Sequence, residues 1–201
     1  MVPQQRSYFT IKLAEGWWIL GMDCALNADI DIEQFKFFAN VAETLIGQDD
    51  AVIIINHEPH WVTDYEFSRN ANEASEQNIR ELMQNHLKGK VRLRLAGDLH
   101  HYTRHIPERK TKISQLMKRS RSRSFSFDET KNIKAHKTVD KKLKPFTEEN
   151  RPELIVSGGG GAFLHGTHNF SKKILYGNKL RYDRVCAFPS ERQSYLIGAV
   201  S

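Results

Sequence analysis

Seven of the nine histidines of this 201-residue chain lie in three short segments, each placed directly after a predicted β-strand. Imidazole nitrogens bind transition metals and exchange protons near neutral pH. Loops at the carboxyl ends of strands are where α/β folds build their sites. The pattern therefore predicts a metal or acid–base site made from these segments, which are 55–61 with His57 and His60, 96–105 with His100, His101 and His105, and 157–168 with His165 and His168.

Asp98 and His100 stand two residues apart in the second segment. On an irregular turn, a carboxylate and an imidazole at this spacing can converge on one cation, and mixed N and O donors suit Zn, Fe or Mn. We take both as candidate metal ligands, together with His57 from the first segment. His101 and His105 fit a substrate-side or surface position. The alternative for each histidine is a hydrogen-bonded structural role, and the sequence leaves His60, His165 and His168 undecided.

Four consecutive glycines, Gly158 to Gly161, open the third segment. Their amides can approach a phosphate, or the glycines can serve a tight turn or close strand packing. No GKS or GKT follows, which excludes a P-loop. No GxSxG occurs, and neither Cys24 nor Cys186 has a plausible histidine partner nearby in sequence, so nucleophilic catalysis has no support.

Strands and helices alternate along the chain outside one basic segment, and this order predicts an α/β fold. The run 51–55 is wholly apolar, as is typical of a strand buried on both faces. Asp29 or Asp31 is the predicted N-cap of the first helix. The predicted strands are 8–13, 17–23, 51–55, 91–96, 154–157, 173–176 and 195–200, and the predicted helices are 33–47 and 74–87.

The net charge of +6 and the pI of about 9.3 come from one segment. Residues 104–145 hold 14 Lys or Arg against 4 Asp or Glu, and the remainder holds 16 against 20. We interpret 106–150 as a flexible Ser/Arg/Lys-rich insertion, with a candidate phosphorylation site in 121–126. Nucleic-acid binding is not favoured, because no base-stacking platform accompanies the charge. Membrane contact through the insertion stays open.

No run approaches the roughly 20 apolar residues of a membrane span, and the N-terminus lacks the pattern of a secretion signal. Two cysteines exclude a disulfide scaffold. The default expectation is a single domain in a reducing, cytoplasmic compartment.

The order of these segments resembles that of the calcineurin-like metallophosphoesterases, and most closely the large plant members, in which membrane-spanning segments follow the domain. The resemblance rests on 57–59 (His-Glu-Pro), 97–100 (Gly-Asp-Leu-His), the strand 18–23, the helix start 34–38 and the glycine loop through 162–163. It implies two metal ions among Fe, Zn and Mn that activate water for in-line attack on a phosphate ester. It also implies that His100 serves one metal, that His57 and Asp98 serve the other, and that His101 contacts the phosphate.

The early family motifs, Asp-x-His, Gly-Asp and Gly-Asn-His followed by Asp or Glu, do not precede His57. Asp98 stands where the family usually has histidine, which alters the metal preference. The resemblance therefore implies the C-terminal half of an α/β/β/α sandwich over 1–201, a fragment with an incomplete metal site. Its exposed sheet would be covered by the missing N-terminal half or by another partner. The alternative is a catalytically inactive binding or regulatory module with a phosphorylatable basic loop.

Overall fold

The computed structural model describes residues 5–24, 28–67, 75–108, 151–159, 163–176 and 180–198. Residues 109–150 of the basic insertion, including the candidate phosphorylation segment 121–126, lie outside the described residues, and so do Gly160 and Gly161. Within the described part, no helix has the length and apolar character needed to cross a membrane.

Eight strands form one mixed sheet, which confirms the predicted α/β class. Its order is β1-β2-β3-β4-β6-β5-β8-β7, and the central strands β2, β3, β4 and β6 run parallel. The strands are β1 Phe9–Lys12, β2 Trp17–Gly21, β3 Ala51–Asn56, β4 Val91–Ala96, β5 Tyr102–Pro107, β6 Glu153–Ser157, β7 Lys173–Tyr176 and β8 Leu180–Phe188. The helices are α1 Ile32–Thr44, α2 His60–Phe67, α3 Gln77–Glu81 with a π-helical continuation Leu82–His86, a 3-10 turn Thr167–Asn169 and α4 Glu191–Gly198.

Helix α1 begins where the sequence predicts. Asp31 is its N-cap, and the carboxylate accepts a hydrogen bond from the Gln34 backbone N–H at 2.8 Å. The side chain of Gln34 also bonds back to the backbone of Asp23, donating to the carbonyl and accepting from the N–H. These bonds tie the start of α1 to the chain that leaves β2.

One face of the sheet is covered by helices. Alternate residues of β2, β3 and β6 point to this covered face and are at most 5% exposed, because α1 and the α3 region pack against β2 and β3 in one hydrophobic core, and α2 packs against β6 in a second core. They are Trp18, Leu20, Val52, Ile54, Leu154 and Val156.

The other face of the same strands, which we call the open face, is also apolar. Its apolar residues are Ile19, Ile53, Ile55, Leu93, Leu95 and Ile155, and the ion pair of Arg104 with Glu153 lies on the same face. The strand register places Ile19, Ile53 and Leu93 in one row. Ile55, Leu95 and Ile155 form the next row. All six are half-buried, and none belongs to or packs against a hydrophobic core of the described residues.

Five elements differ from the prediction. One of them, strand β8, was not predicted. Of the segment predicted as a strand at 195–200, residues 195–198 are helical in α4, and the last two lie outside the described residues. Ser190 and Gln193 bond to each other at the start of this helix. The predicted helix 74–87 begins later, at Gln77, and its second half is π-helical. Helix α2 and strand β5 were missed, because their histidines were assigned to irregular site loops.

Candidate functional site

His57 and Asp98 come together at the carboxyl ends of β3 and β4. The backbone N–H groups of Gly97 and Asp98 both donate to the carbonyl oxygen of His57, at 3.0 and 3.2 Å. His57 Nε2 lies 3.7 Å from Asp98 Oδ1, and the two side chains are 73% and 40% exposed. Two of the predicted ligands thus face solvent side by side.

His100 is fixed against the third segment. Its backbone N–H donates to His165 Nδ1 at 3.1 Å, and the His165 N–H donates to the His100 carbonyl at 2.8 Å. The two imidazoles stack with ring centres 5.0 Å apart, and the ring of Phe163 meets His100 edge-on at 4.6 Å. The sequence left the role of His165 undecided, and in the structure this residue packs against His100.

Gly158 permits the third segment to lie directly on the second. A Cβ at this position would be 2.0 Å from the Gly97 carbonyl oxygen and 2.1 Å from the Leu99 carbonyl oxygen. The Gly158 N–H also donates to the His101 carbonyl at 3.0 Å. Of the two roles considered for the glycine loop, close packing is the one that Gly158 has here. Nothing lies within 4 Å of the corresponding Cβ position at Gly159.

His101 and His105 point into the covered face. They are 1% and 2% exposed, and no described residue bonds to either ring nitrogen of either side chain. Burial lowers the pKa of each imidazole to about 4. A surface position is therefore not where the two rings lie: the alternation of β5 turns His105 inward, and His101, just before this strand, is buried as well. A substrate-side position stays a prediction for both. A phosphate contact by His101 stays a prediction.

A buried ionic cluster behind the His57 loop escaped the sequence analysis. Arg94 on β4 is 0% exposed and binds the Glu76 carboxylate through two hydrogen bonds of 2.6 Å. It also donates to Tyr176 Oη at 2.7 Å and to Asn56 Oδ1 at 2.9 Å. The segment 91–96 carries no signal for it, because arginines that alternate with leucines are typical of an exposed strand face.

His60 links this cluster to the loop. Its Nδ1 is 3.2 Å from Glu76 Oε1, and its Nε2 is 3.0 Å from Glu58 Oε2. Burial alone would lower the pKa of His60, but the hydrogen bond and charge of Glu76 raise it. Burial alone would raise the pKa of Glu76, but the charge and hydrogen bonds of Arg94 lower this pKa to about 2. The ionised forms are thus the stable ones.

The described residues bring together two of the three predicted ligands. Among them no group of three His, Cys, Asp or Glu side chains is close enough to hold a metal ion. His57 and Asp98 offer one nitrogen and one oxygen donor, a pair that suits Zn, Fe or Mn but leaves the coordination incomplete.

No protein-family model matches the chain, and no curated protein matches it. Among solved structures, the chain is similar to the purple acid phosphatase PPD1 isolated from yellow lupin (Lupinus luteus) seeds. The two are 17% identical with a TM-score of 0.50, and the match covers 91% of this chain but only 27% of that one. The chain thus spans about a quarter of the matched protein. The likeness shows that this chain shares the fold of part of that purple acid phosphatase.

Proposed function

We propose that this chain supplies part of a dinuclear metal site that hydrolyses phosphate esters. His57 and Asp98 would hold one metal ion and His100 the other. The observation that carries the proposal is the 3.7 Å approach of His57 Nε2 to Asp98 Oδ1 at the carboxyl ends of two parallel strands. The similarity in fold to a purple acid phosphatase supports it.

The donor set fits such a metal only in part. A bound metal ion would activate water and stabilise charge on the phosphate oxygens. The chain's own contribution is to hold His57 and Asp98 against each other through the bonds from Gly97 and Asp98 to the His57 carbonyl. The remaining ligands would come from a preceding segment of a longer protein. The burial of His101 favours a packing role for that residue.

The open face supports the same conclusion from packing. We infer that a second β-sheet, supplied by the N-terminal half of the phosphoesterase domain, covers Ile53, Leu95 and their neighbours. Six aliphatic side chains in two rows form an apolar surface of the kind that marks an interface. The face belongs to the strands that carry the candidate ligands, so a covering sheet would also lie beside the site.

The first test is metal binding. The purified chain is loaded with Zn²⁺ or Mn²⁺, desalted and measured by elemental analysis, beside a His57→Ala/His100→Ala double variant. We expect retained metal in the parent chain and at least a tenfold loss of affinity in the double variant, because two of the proposed donors are gone. His86→Ala is the matched control, since His86 pairs with Glu43 away from the strand ends.

Hydrolysis is tested on an N-terminally extended protein with p-nitrophenyl phosphate and bis(p-nitrophenyl) phosphate. Metal-dependent turnover that the double variant loses would support the enzyme. An extended protein that keeps its fold but binds no metal and turns over neither ester would contradict the proposal. That result would favour the inactive binding or regulatory module.

The covering sheet is tested by thiol labelling. In a Cys186→Ser background, Leu95→Cys should react readily in this chain and at least tenfold more slowly in the extended protein. Glu33→Cys, exposed at the start of α1, should react equally in both. Equal rates at Leu95→Cys in the two proteins would contradict a covering sheet.

A further inference from the structure

The ionic cluster around Arg94 is built almost entirely from buried groups. Arg94, Glu76 and Asn56 are 0%, 2% and 4% exposed. The Nη atoms of Arg94 make four hydrogen bonds, two to Glu76 and one each to Tyr176 and Asn56. The guanidinium also lies 4.9 Å from the ring centre of Trp61. The cluster is therefore rigid and almost fully hydrogen-bonded.

This cluster fixes the loop that carries His57 at two points. Asn56, held by Arg94, donates from its amide to the carbonyl oxygen of Glu58. His60, held by Glu76, contacts the carboxylate of Glu58. His57 lies between these two attachments, and its own carbonyl accepts the N–H groups of Gly97 and Asp98. The cluster thus connects to the Asp98 turn through the loop.

Stability alone does not explain such a cluster. Transferring a charged pair into a protein interior costs several kcal/mol per ion, and replacing a buried pair with apolar side chains of similar size is often neutral or stabilising. A fixed fork of hydrogen bonds instead defines where its partners lie. Groups that orient metal ligands through hydrogen bonds typically change metal affinity 10- to 100-fold when removed.

We propose that Arg94 and Glu76 are positioning residues for His57, and through its carbonyl for Asp98. The assignment rests on the proposed function for its consequence in metal binding. Its mechanical part, the fixing of the 56–60 loop against the 97–98 turn, stands on the described contacts and is measured separately. Neither residue touches a substrate or a metal in this assignment.

The test compares Arg94→Met/Glu76→Leu with Arg92→Met in the full chain. The double variant removes both charges of the pair together, and His60, which loses Glu76, keeps its contact with the Glu58 carboxylate. Arg92 is an exposed neighbour on β4 whose guanidinium donates to Gly89. Two quantities are measured by NMR and titration: the hydrogen-exchange rates of the Gly97 and Asp98 amides, and the affinity for Zn²⁺.

We expect both amides to exchange at least tenfold faster in the double variant and Zn²⁺ affinity to fall 10- to 100-fold, with Arg92→Met unchanged in both. Exchange rates that stay unchanged in a folded double variant would overturn the assignment. Faster exchange in a chain whose parent form binds no Zn²⁺ would uphold the positioning role and contradict the proposed metal site.

A second variant covers the case in which the double variant does not fold. Asn56→Ala leaves the Arg94–Glu76 pair intact and removes the side chain that accepts from Arg94 and donates to the Glu58 carbonyl. We expect faster exchange at Gly97 and Asp98 without global unfolding. Arg94→Lys keeps the charge but loses the two-pronged contact, so an intermediate rate is expected. Parent-like rates in both variants would overturn the proposal.

Discussion

The two faces of the sheet use the same strands and differ in what covers them. In β3, Val52 and Ile54 are 0% exposed beneath the helices, whereas Ile53 and Ile55, which alternate with them, are half-buried on the open face. The sequence run 51–56 is apolar at every position except Asn56. Its composition therefore suits a strand buried on both sides, although the described residues cover only one side.

The difference between the two faces indicates a unit with its own hydrophobic packing on one face and a surface suited to a partner on the other. A covered face with its own hydrophobic core gives the described residues a basis for folding, while an apolar open face is typical of a surface that meets a partner. The candidate site shows the same incompleteness, because His57 and Asp98 meet while no third donor from the described part of the chain joins them. The proposed second sheet, if it also carries further ligands, would account for both.

The largest effect on the free energy of unfolding is expected from truncating a side chain on the covered face. Ile54→Ala should lower the free energy of unfolding by about 2–5 kcal/mol, because it leaves a cavity in the core. Ile53→Ala, one residue away on the open face, should cost about 1 kcal/mol or less. Urea denaturation of both variants measures the difference. Equal costs would show that the open face is already packed in the isolated chain.

The second effect concerns polar groups within the covered face, where Arg94 is paired and His101 and His105 are not. The folded-state pKa of both histidines is about 4, below the usual 6.5, so the unfolded chain binds more protons between these values. Stability should fall as pH drops from 6.5 to 4, by at most about 3 kcal/mol for each histidine.

Urea midpoints at pH 7, 5.5 and 4.5 measure this loss, and His105→Leu should remove about half of it. His60 has the opposite sign, because its raised pKa gives a contribution that is lost as pH rises above 6.5. A pH profile that is unchanged by His105→Leu would contradict the buried, neutral state of this imidazole.

The smallest effect on stability is expected from placing a charge on the open face. Leu95→Lys should change the free energy of unfolding by about 1 kcal/mol or less but reduce self-association, since the lysine interrupts an apolar row. Sedimentation velocity at increasing protein concentration measures the association. Leu196→Lys on α4, where the leucine is 63% exposed, is the matched control. The same reduction in both variants would indicate a general charge effect instead of an interface at the open face.

The sequence predicts an element well where neighbouring residues alone specify its conformation. Asp31 caps α1 as predicted, and the strands at 91–96 and 173–176 have the predicted bounds. Strand β5 was missed because its histidine, threonine and arginine conceal the alternation on which strand prediction depends. The α4 segment has aromatic and aliphatic residues typical of a strand, but its helical capping residues decided its conformation.

The sequence by itself determined the α/β order, the placement of histidines after strands and the concentration of positive charge between 104 and 145. These properties depend on neighbouring residues, and so a linear pattern records them. Only the tertiary structure decided that His57 meets Asp98, that His101 turns inward and that Arg94 is paired with Glu76. Such contacts join residues far apart in the chain, and strand order and register set them.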